Sequence, residues 1–148
     1  MNDIEICPFE KQYVDSILLI ENECFADPWS RDSIEKELEN SFARYVVIKK
    51  NNAVVGYGGM WLILDEAHIT NIAVLEAFRR TGIGKLLVIA LIEICKKENI
   101  TSLTLEVRKS NIAAQRLYTK FGFIPEGIRK GYYANNNEDA IIMWKREV

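Results

Sequence analysis

Residues 71–97 read NIAVLEAFRRTGIGKLLVIALIEICKK and place a strand, a basic glycine-containing loop and a long helix one after another. In the helical part, apolar residues recur at i, i+3, i+4, i+7, i+8, i+11 and i+12 from Ile83 to Cys95, the spacing of one helix face. The loop at residues 79–85 precedes that helix, so its backbone N–H groups can converge on an anion such as phosphate. The alternative is a plain strand-to-helix turn with a solvated basic cluster.

The segments on either side alternate between strand-like and helix-like patterns. Strands are predicted at residues 4–6, 45–48, 53–64, 67–74 and 102–107 and in two segments between 123 and 145. Helices are predicted at residues 14–25, after the N-cap Ser30, from residue 83 and at 111–121. The order β-α-α-β-β-β-α-β-α-β-β predicts one α/β domain over residues 1–148, without linker or repeat.

Composition narrows the possible functions. The chain of 148 residues is 49% hydrophobic and 27% charged, as in ordinary globular proteins. Nineteen Lys and Arg against 21 Asp and Glu give a net charge of -2, without the basic excess on which nucleic-acid binding depends. The chain begins without a basic and apolar leader, and no apolar run reaches membrane-spanning length. We therefore expect a cytoplasmic protein that binds neither nucleic acid nor membrane.

Cysteine and histidine give no sign of a metal site. Cys7, Cys24 and Cys95 are odd in number and widely separated, so neither a disulfide framework nor a zinc site is indicated. Cys95 lies on the apolar helix stripe, where a buried thiol is the preferred interpretation. His68 is the only histidine and has no obvious catalytic partner in the sequence. We expect no metal.

Arg79, Gly82 and Gly84 fit the signature [RQ]-x-x-G-x-[GA], and through it the chain resembles the GCN5-related N-acetyltransferase (GNAT) superfamily. Residues 71–74 and 111–123 follow the family pattern in the same order. Within the family, the chain looks like the ribosomal-protein alanine N-acetyltransferase (RimI) branch. That closer resemblance is carried by the segments DPWS at 27–30, LEVR at 105–108, YY at 132–133 and EDA at 138–140.

The resemblance implies the GNAT fold, a mixed central sheet of about seven strands flanked by helices, and acetyl-CoA as cosubstrate. The loop would bind the pyrophosphate, the backbone of the preceding strand would hold the pantetheine arm, and the start of the helix at 111–121 would also contact coenzyme A. The residues implied are Ile72, Ala73, Val74, Arg79, Arg80, Thr81, Gly82, Ile83, Gly84, Lys85 and Asn111.

Glu106 is the candidate base. Along residues 103–108 the leucines and valine take one face of the strand, and Thr104, Glu106 and Arg108 take the other. A protein α-amino group has a pKa of about 8 and must lose a proton before it attacks a thioester. The resemblance gives Glu106 the role of proton acceptor. The alternative is a carboxylate paired with Arg108 or solvated at an edge.

Tyr118, Tyr132 and Tyr133 complete the predicted site. The resemblance implies that Tyr118 protonates the departing thiolate, although an aromatic residue in an amphipathic helix is more often part of the core. Tyr132 and Tyr133 would line the entrance for the acceptor, with cross-strand packing as the alternative.

The implied reaction is acetyl transfer from acetyl-CoA to a protein N-terminus. The branch points to the N-terminal alanine of a small-subunit ribosomal protein, modified by a monomeric enzyme. One alternative is the same fold acetylating a lysine side chain or a small amine. The other is a non-catalytic acyl-CoA-binding module, which is disfavoured because Glu106 and Tyr118 are both present.

Overall fold

The computed structural model describes residues 3–148. The strands are β1 Ile4–Pro8, β2 Ala43–Lys50, β3 Ala53–Ile63, β4 Glu66–Val74, β5 Ser102–Arg108, β6 Ile124–Tyr133 and β7 Glu138–Arg146. The helices are α1 Val14–Cys24, α2 Arg31–Glu39, α3 Ile83–Lys97 and α4 Ile112–Lys120, with 3-10 turns at Lys11–Tyr13 and Glu76–Phe78. The predicted order of elements is confirmed, and β2 extends beyond the predicted segment at both ends.

The strands form one sheet in the order β1-β2-β3-β4-β5-β7-β6. Neighbouring strands are antiparallel except for β4 and β5, which run parallel. A mixed sheet of seven strands is what the GNAT resemblance implies, so the predicted fold class is confirmed. β7 returns between β5 and β6, which places the β6–β7 hairpin at the sheet edge beside β5.

The contact between β4 and β5 is short. It joins residues Glu66–His68 to residues Ser102–Thr104. Farther along, β4 continues to Val74 beside β3, and β5 continues to Arg108 beside β7. The two strands therefore separate toward their C-terminal ends, and the edge of β4 that faces the gap is not paired with β5.

β4 also carries a bulge at Thr70. Ile69 and Asn71 pair with consecutive residues of β3, so Thr70 has no partner of its own. An extra residue reverses the face on which the following side chains lie. Ile69 accordingly packs in the core beneath α3, whereas Ala73 packs in the core beneath α1 and α2.

The helices cover the two faces of the sheet unequally. The core beneath α1 and α2 includes side chains from β1 to β4, and none from β5, β6 or β7 among the described residues. That side of β5, β7 and β6 is the open face referred to below, and it leaves room for polar side chains on β5. No helix within residues 3–148 is long and apolar enough to cross a bilayer.

The buried side of α3 differs from the predicted stripe. Val88 and Ile92 are buried in the core, whereas Leu86, Ala90 and Ile94 are only partly buried against it. The helix packs on a broad sheet and not on a single partner helix, so its buried apolar surface is wide. This surface is rotated, relative to the predicted stripe, toward Val88 and Ile92.

Candidate active site

The loop at residues 79–85 presents the start of α3 to solvent. Gly82 is the N-cap of α3, has a φ of 89°, and no side chain caps the helix there. This left-handed backbone favours glycine. The first N–H groups of an α-helix have no partner within the helix. The start of α3 can therefore receive an anion such as a pyrophosphate.

The other polar residues of this loop divide into two groups. The Arg79 side chain donates to the carbonyl of Val74 at 3.0 Å, and the Thr81 hydroxyl donates to the main chain of the preceding 3-10 turn. Both side chains thus hold the shape of the loop. Arg80 and Lys85 are exposed, so their positive charges remain available to a phosphate.

The gap between β4 and β5 adjoins this loop. Ile72, Ala73 and Val74 pair with β3 on one side only, so their other edge can hydrogen-bond an extended amide-containing chain. Asn111 is the N-cap of α4, where its Oδ1 accepts from Ala114 N at 3.1 Å. The buried Oδ1 of Asn71, directly before Ile72, has no hydrogen-bond partner within the described residues.

These features fit acetyl-CoA. The unpaired edge of β4 suits the amides of a pantetheine arm, and the start of α3 suits the pyrophosphate. Both lie along one path, because the chain passes from Val74 through the loop into α3. The residues predicted for the cosubstrate are therefore brought together, with Asn111 at the start of the neighbouring helix α4.

Glu106 lies on the open face with its carboxylate largely enclosed. Its side chain is 8% exposed, its Oε1 lies 2.6 Å from His68 Nε2, and its Oε2 lies 3.6 Å from Arg129 Nε. Burial opposes ionisation, but the hydrogen bond and charge of His68, together with Arg129, outweigh it and hold the pKa of Glu106 below its ordinary value. The carboxylate is therefore ionised at neutral pH.

Two interpretations of the sequence are wrong here. His68 does have a partner, because the parallel pairing of β4 with β5 brings it beside Glu106, 38 residues away. Glu106 does not pair with Arg108, whose guanidinium instead contacts Glu138 at 3.0 Å. The missed signal was His68 itself, which stands near the start of the strand predicted at residues 67–74, with a polar side chain on the face opposite the neighbouring core residues Ala67 and Ile69.

Tyr118 lies in α4, and its side chain belongs to the core that α3 covers. Only 8% of the residue is exposed, and its ring packs against Phe123 with centroids 5.6 Å apart. Burial, with a smaller contribution from Tyr133, raises the pKa of Tyr118. Tyr118 is thus part of the core, as the alternative interpretation of an aromatic residue in an amphipathic helix predicts. The same burial keeps the phenol protonated at neutral pH, as a proton donor requires.

Tyr132 and Tyr133 stand at the end of β6. Their rings meet edge to face with centroids 5.1 Å apart. Burial, and then the charge of Glu106, raises the pKa of Tyr132, which is half-exposed. Burial raises the pKa of Tyr133 to about 12, and the Arg108 guanidinium lies 3.9 Å from its ring centroid. The two rings pack together and also lie beside the candidate base.

Glu21 is a structural element of the site that the sequence interpretation missed. The residue is 1% exposed, and its carboxylate accepts from Trp29 N at 2.8 Å and from the Tyr57 hydroxyl. It therefore fixes the loop between α1 and α2 against the sheet. The available signal was a carboxylate at the helical spacing of the buried residues Val14 and Ile17.

The three cysteines are free thiols. Cys95 is fully buried in the core, and Cys24 donates to the carbonyl of Val74 at 3.3 Å. In the part of the chain that the structure describes, no group of three or more His, Cys, Asp or Glu side chains could hold a metal ion. An anion-binding helix start, an enclosed carboxylate and a protonated phenol together suit transfer of an acyl group.

Comparisons with known proteins identify the family. The model of the acetyltransferase (GNAT) family matches residues 14–123. A proposed ribosomal protein bS18-alanine N-acetyltransferase of Bacillus subtilis is 47% identical over 132 residues, covering 88% of this chain and 87% of the relative. The Haemophilus influenzae ribosomal protein bS18-alanine N-acetyltransferase is 37% identical over 148 residues, covering 97% and 95%.

A solved structure of a relative agrees with this family assignment. The crystal structure of the ribosomal-protein-S18-alanine N-acetyltransferase from Escherichia coli superimposes with a TM-score of 0.90 at 32% identity, covering 97% of this chain and 94% of that chain. Sequence, fold and site geometry thus agree. The chain belongs to the GNAT acetyltransferase family and uses acetyl-CoA as its acyl donor.

Proposed function

We propose that this enzyme acetylates the α-amino group of the N-terminal alanine of ribosomal protein bS18. The observation that carries the proposal is the pairing of Glu106 with His68 on the open face, beside Tyr132 and at the point where β4 and β5 separate. The named activity of the Haemophilus influenzae and Escherichia coli relatives supports this acceptor.

Glu106 is the proposed proton acceptor. An α-amine with a pKa of about 8 is mostly protonated at neutral pH and must be deprotonated to attack. A carboxylate that is already ionised, enclosed and held by His68 can take that proton. Because the His68 side chain is 31% exposed, the imidazole connects Glu106 to bulk water and offers the proton a route away from the site.

Tyr118 is the proposed proton donor. Bound acetyl-CoA supplies an acetyl thioester, whose C–S bond breaks as the N–C bond to the amine forms. The leaving thiolate needs a proton, and the buried phenol of Tyr118 holds one. Proton removal at Glu106 and proton donation at Tyr118 balance, so the transfer needs no covalent enzyme intermediate.

The proposal takes residues 1–148 as one acetyltransferase domain that acts as a monomer in the cytoplasm, where a ribosomal protein is made. The single sheet that contains all seven strands supports one domain. Light scattering after gel filtration would test the monomer, with a mass of 17.0 kDa expected.

Mass spectrometry of peptides incubated with acetyl-CoA tests the acceptor. We expect acetylation of a peptide that carries the alanine-initiated N-terminus of bS18 from the same organism, at the α-amine alone. The matched control is the same peptide with a blocked N-terminus and its lysines intact, which should remain unmodified. Modification of the blocked peptide would favour a lysine acetyltransferase, and binding of acetyl-CoA without any product would favour a non-catalytic module.

A further inference from the structure

Arg108 ends β5 and makes an unusual number of contacts for one side chain. Its guanidinium donates to Asn135 Oδ1 at 2.8 Å, to Glu138 Oε1 at 3.0 Å and to Asn136 Oδ1 at 3.2 Å. The guanidinium carbon also lies 3.9 Å from the centroid of the Tyr133 ring. All four partners belong to the end of the β6–β7 hairpin.

The β-ladder alone does not fix that end of the hairpin. Arg129 pairs with Ala140 and Tyr133 pairs with Glu138, so three residues of β6 lie opposite the single residue Asp139. Such a bulge interrupts the regular hydrogen bonds between the strands. Because Tyr132 lies within the bulge and Tyr133 directly follows it, the positions of both rings depend on contacts from outside the ladder.

A glycine and one carboxylate shape the bulge. Gly131, within the bulge, has a φ of 60°, and its N–H donates to Asp139 Oδ1 at 2.9 Å. A Cβ on this glycine would lie 2.7 Å from Asn137 Oδ1. This local conformation turns the strand, but it does not connect the hairpin to β5 or α4.

The outside contacts come from β5 and the start of α4. Glu138 Oε2 accepts from Ser110 N at 2.7 Å, and hydrogen bonds from Ser110, together with Arg108, lower the pKa of Glu138 to about 2. The Arg108 carbonyl accepts from Asn111 N at 2.9 Å and from Gln115 Nε2 at 3.1 Å. Arg108 thus connects the strand of Glu106, the helix of Tyr118 and the hairpin of Tyr133.

We infer that Arg108 is a positioning residue for the acceptor, which holds Tyr133 and the end of the β6–β7 hairpin beside Glu106. This inference rests on the proposed function, because it assigns one wall of the acceptor site. A planar guanidinium can lie flat on a ring while its five in-plane N–H donors reach several acceptors, whereas an ammonium has three donors and no planar face to stack. Lysine at this position would therefore keep the charge and lose the geometry.

Arg146 provides a matched control within the same sheet. Its guanidinium lies 4.5 Å from the centroid of the Trp144 ring and bonds Glu126 at 2.7 Å. It therefore combines stacking and a carboxylate pair, as Arg108 does. Arg146 is the last residue of β7 and pairs with Ser102 at the start of β5. The first residue of β7, Glu138, pairs with Tyr133, so Arg146 lies at the end of β7 away from the candidate active site.

The experiment compares Arg108→Lys with Arg146→Lys in steady-state acetylation of the bS18 peptide. We expect Arg108→Lys to raise the KM for the peptide about tenfold. This is the size of effect expected when the stacking on Tyr133 and the hydrogen bonds to the hairpin are lost together. The KM for acetyl-CoA should change by less than about twofold, because the loop at residues 79–85 is untouched. Arg146→Lys should leave both KM values unchanged, while thermal unfolding reports any general loss of stability in either variant.

A double-mutant cycle tests whether Arg108 acts through Tyr133. Tyr133→Leu removes the ring, so adding Arg108→Lys to it should change the peptide KM by less than about twofold. The inference is overturned if Arg108→Lys behaves like Arg146→Lys, if it raises the KM values for peptide and acetyl-CoA equally, or if the two substitutions combine additively. Failure of the wild-type enzyme to acetylate the peptide would instead overturn the proposed function.

Discussion

Glu106→Gln tests the proposed base most directly. Glutamine keeps the size of the side chain and can still hydrogen-bond His68, which lies 2.6 Å from the carboxylate. The change removes the negative charge and the site that accepts a proton. Because only 8% of the side chain is exposed, solvent water cannot readily replace the carboxylate.

The structure and the acceptor chemistry set the expected magnitude. Loss of a general base lowers turnover by about 10² to 10⁴-fold, or about 2.7 to 5.4 kcal/mol in the barrier. An α-amine with a pKa of about 8 is roughly one tenth neutral at pH 7 and roughly nine tenths neutral at pH 9. Turnover of Glu106→Gln should therefore recover about ninefold between these pH values. The pKa of Glu106 lies below its ordinary value, so the wild-type carboxylate stays ionised throughout this range.

The assay follows the release of free coenzyme A with a thiol-reactive chromophore at pH 7, 8 and 9, at saturating acetyl-CoA. Glu126→Gln is the control, since it makes the same chemical change at a carboxylate that pairs with Arg146. Wild-type turnover in Glu106→Gln would refute the base. A loss that does not recover at high pH, together with weaker acetyl-CoA binding, would show that Glu106 has a structural role instead.

Three further outcomes follow from the structure. Tyr118→Phe keeps the ring packed against Phe123 and should lower turnover by about 10² to 10⁴-fold with unchanged acetyl-CoA affinity, measured by calorimetry; normal turnover would make Tyr118 a core residue only. Gly82→Val forces a β-branched residue to a φ of 89° and should weaken acetyl-CoA binding at least about tenfold, and unchanged affinity would exclude this loop as the pyrophosphate site. The pKa of Glu138 is lowered to about 2, so its ionised form stabilises the fold above the ordinary carboxyl pKa, and this stabilisation is lost as pH falls toward 2. Glu138→Gln should therefore be less stable than wild type to urea at pH 7, and the difference should narrow at pH 3 without vanishing, because the folded carboxyl is still ionised there; an equal difference at both pH values would contradict the assignment.

Local patterns in the sequence predicted the elements well. The spacing of apolar residues marked α3, and Ser30 was identified as the N-cap of α2, where its side chain accepts from Ser33 N. Such signals depend on neighbours within one or two turns of the chain. The buried arc of α3 was predicted less well, because its rotation depends on how the helix lies on the sheet.

Contacts between segments that are distant in the sequence could not be predicted from the residue pattern alone. The pairing of His68 with Glu106 depends on the parallel contact of β4 with β5, which no local signal specifies. The strand pattern allows a pair between Arg108 and Glu106, because both lie on one face of β5. Side chains two residues apart on a strand are separated by about 6.6 Å along it, and Arg108 instead contacts Glu138 across the sheet.

The site residues came from the family resemblance rather than from physical reasoning on single residues. Tyr118 illustrates this, because a buried aromatic residue in a helix looks the same whether it packs or donates a proton. Its packing against Phe123 in the core that α3 covers became visible only in the folded structure. Glu21 shows the reverse case, since a carboxylate at core spacing could have been recognised from the sequence.

The short junction between β4 and β5 also makes the stability of the enzyme depend on its cosubstrate. Three residue pairs join a four-stranded half of the sheet to a three-stranded half, and an extended ligand bound along β4, as predicted for the pantetheine arm, would substitute for the missing strand contacts. Acetyl-CoA at 100 times its Kd should add about 2.7 kcal/mol to the free energy of unfolding. Amide hydrogens of residues 69–74 that face the gap should then exchange more slowly with solvent. A fall in acetyl-CoA would leave a larger share of the enzyme open to proteolysis, so its abundance in the cell should follow the supply of acetyl groups.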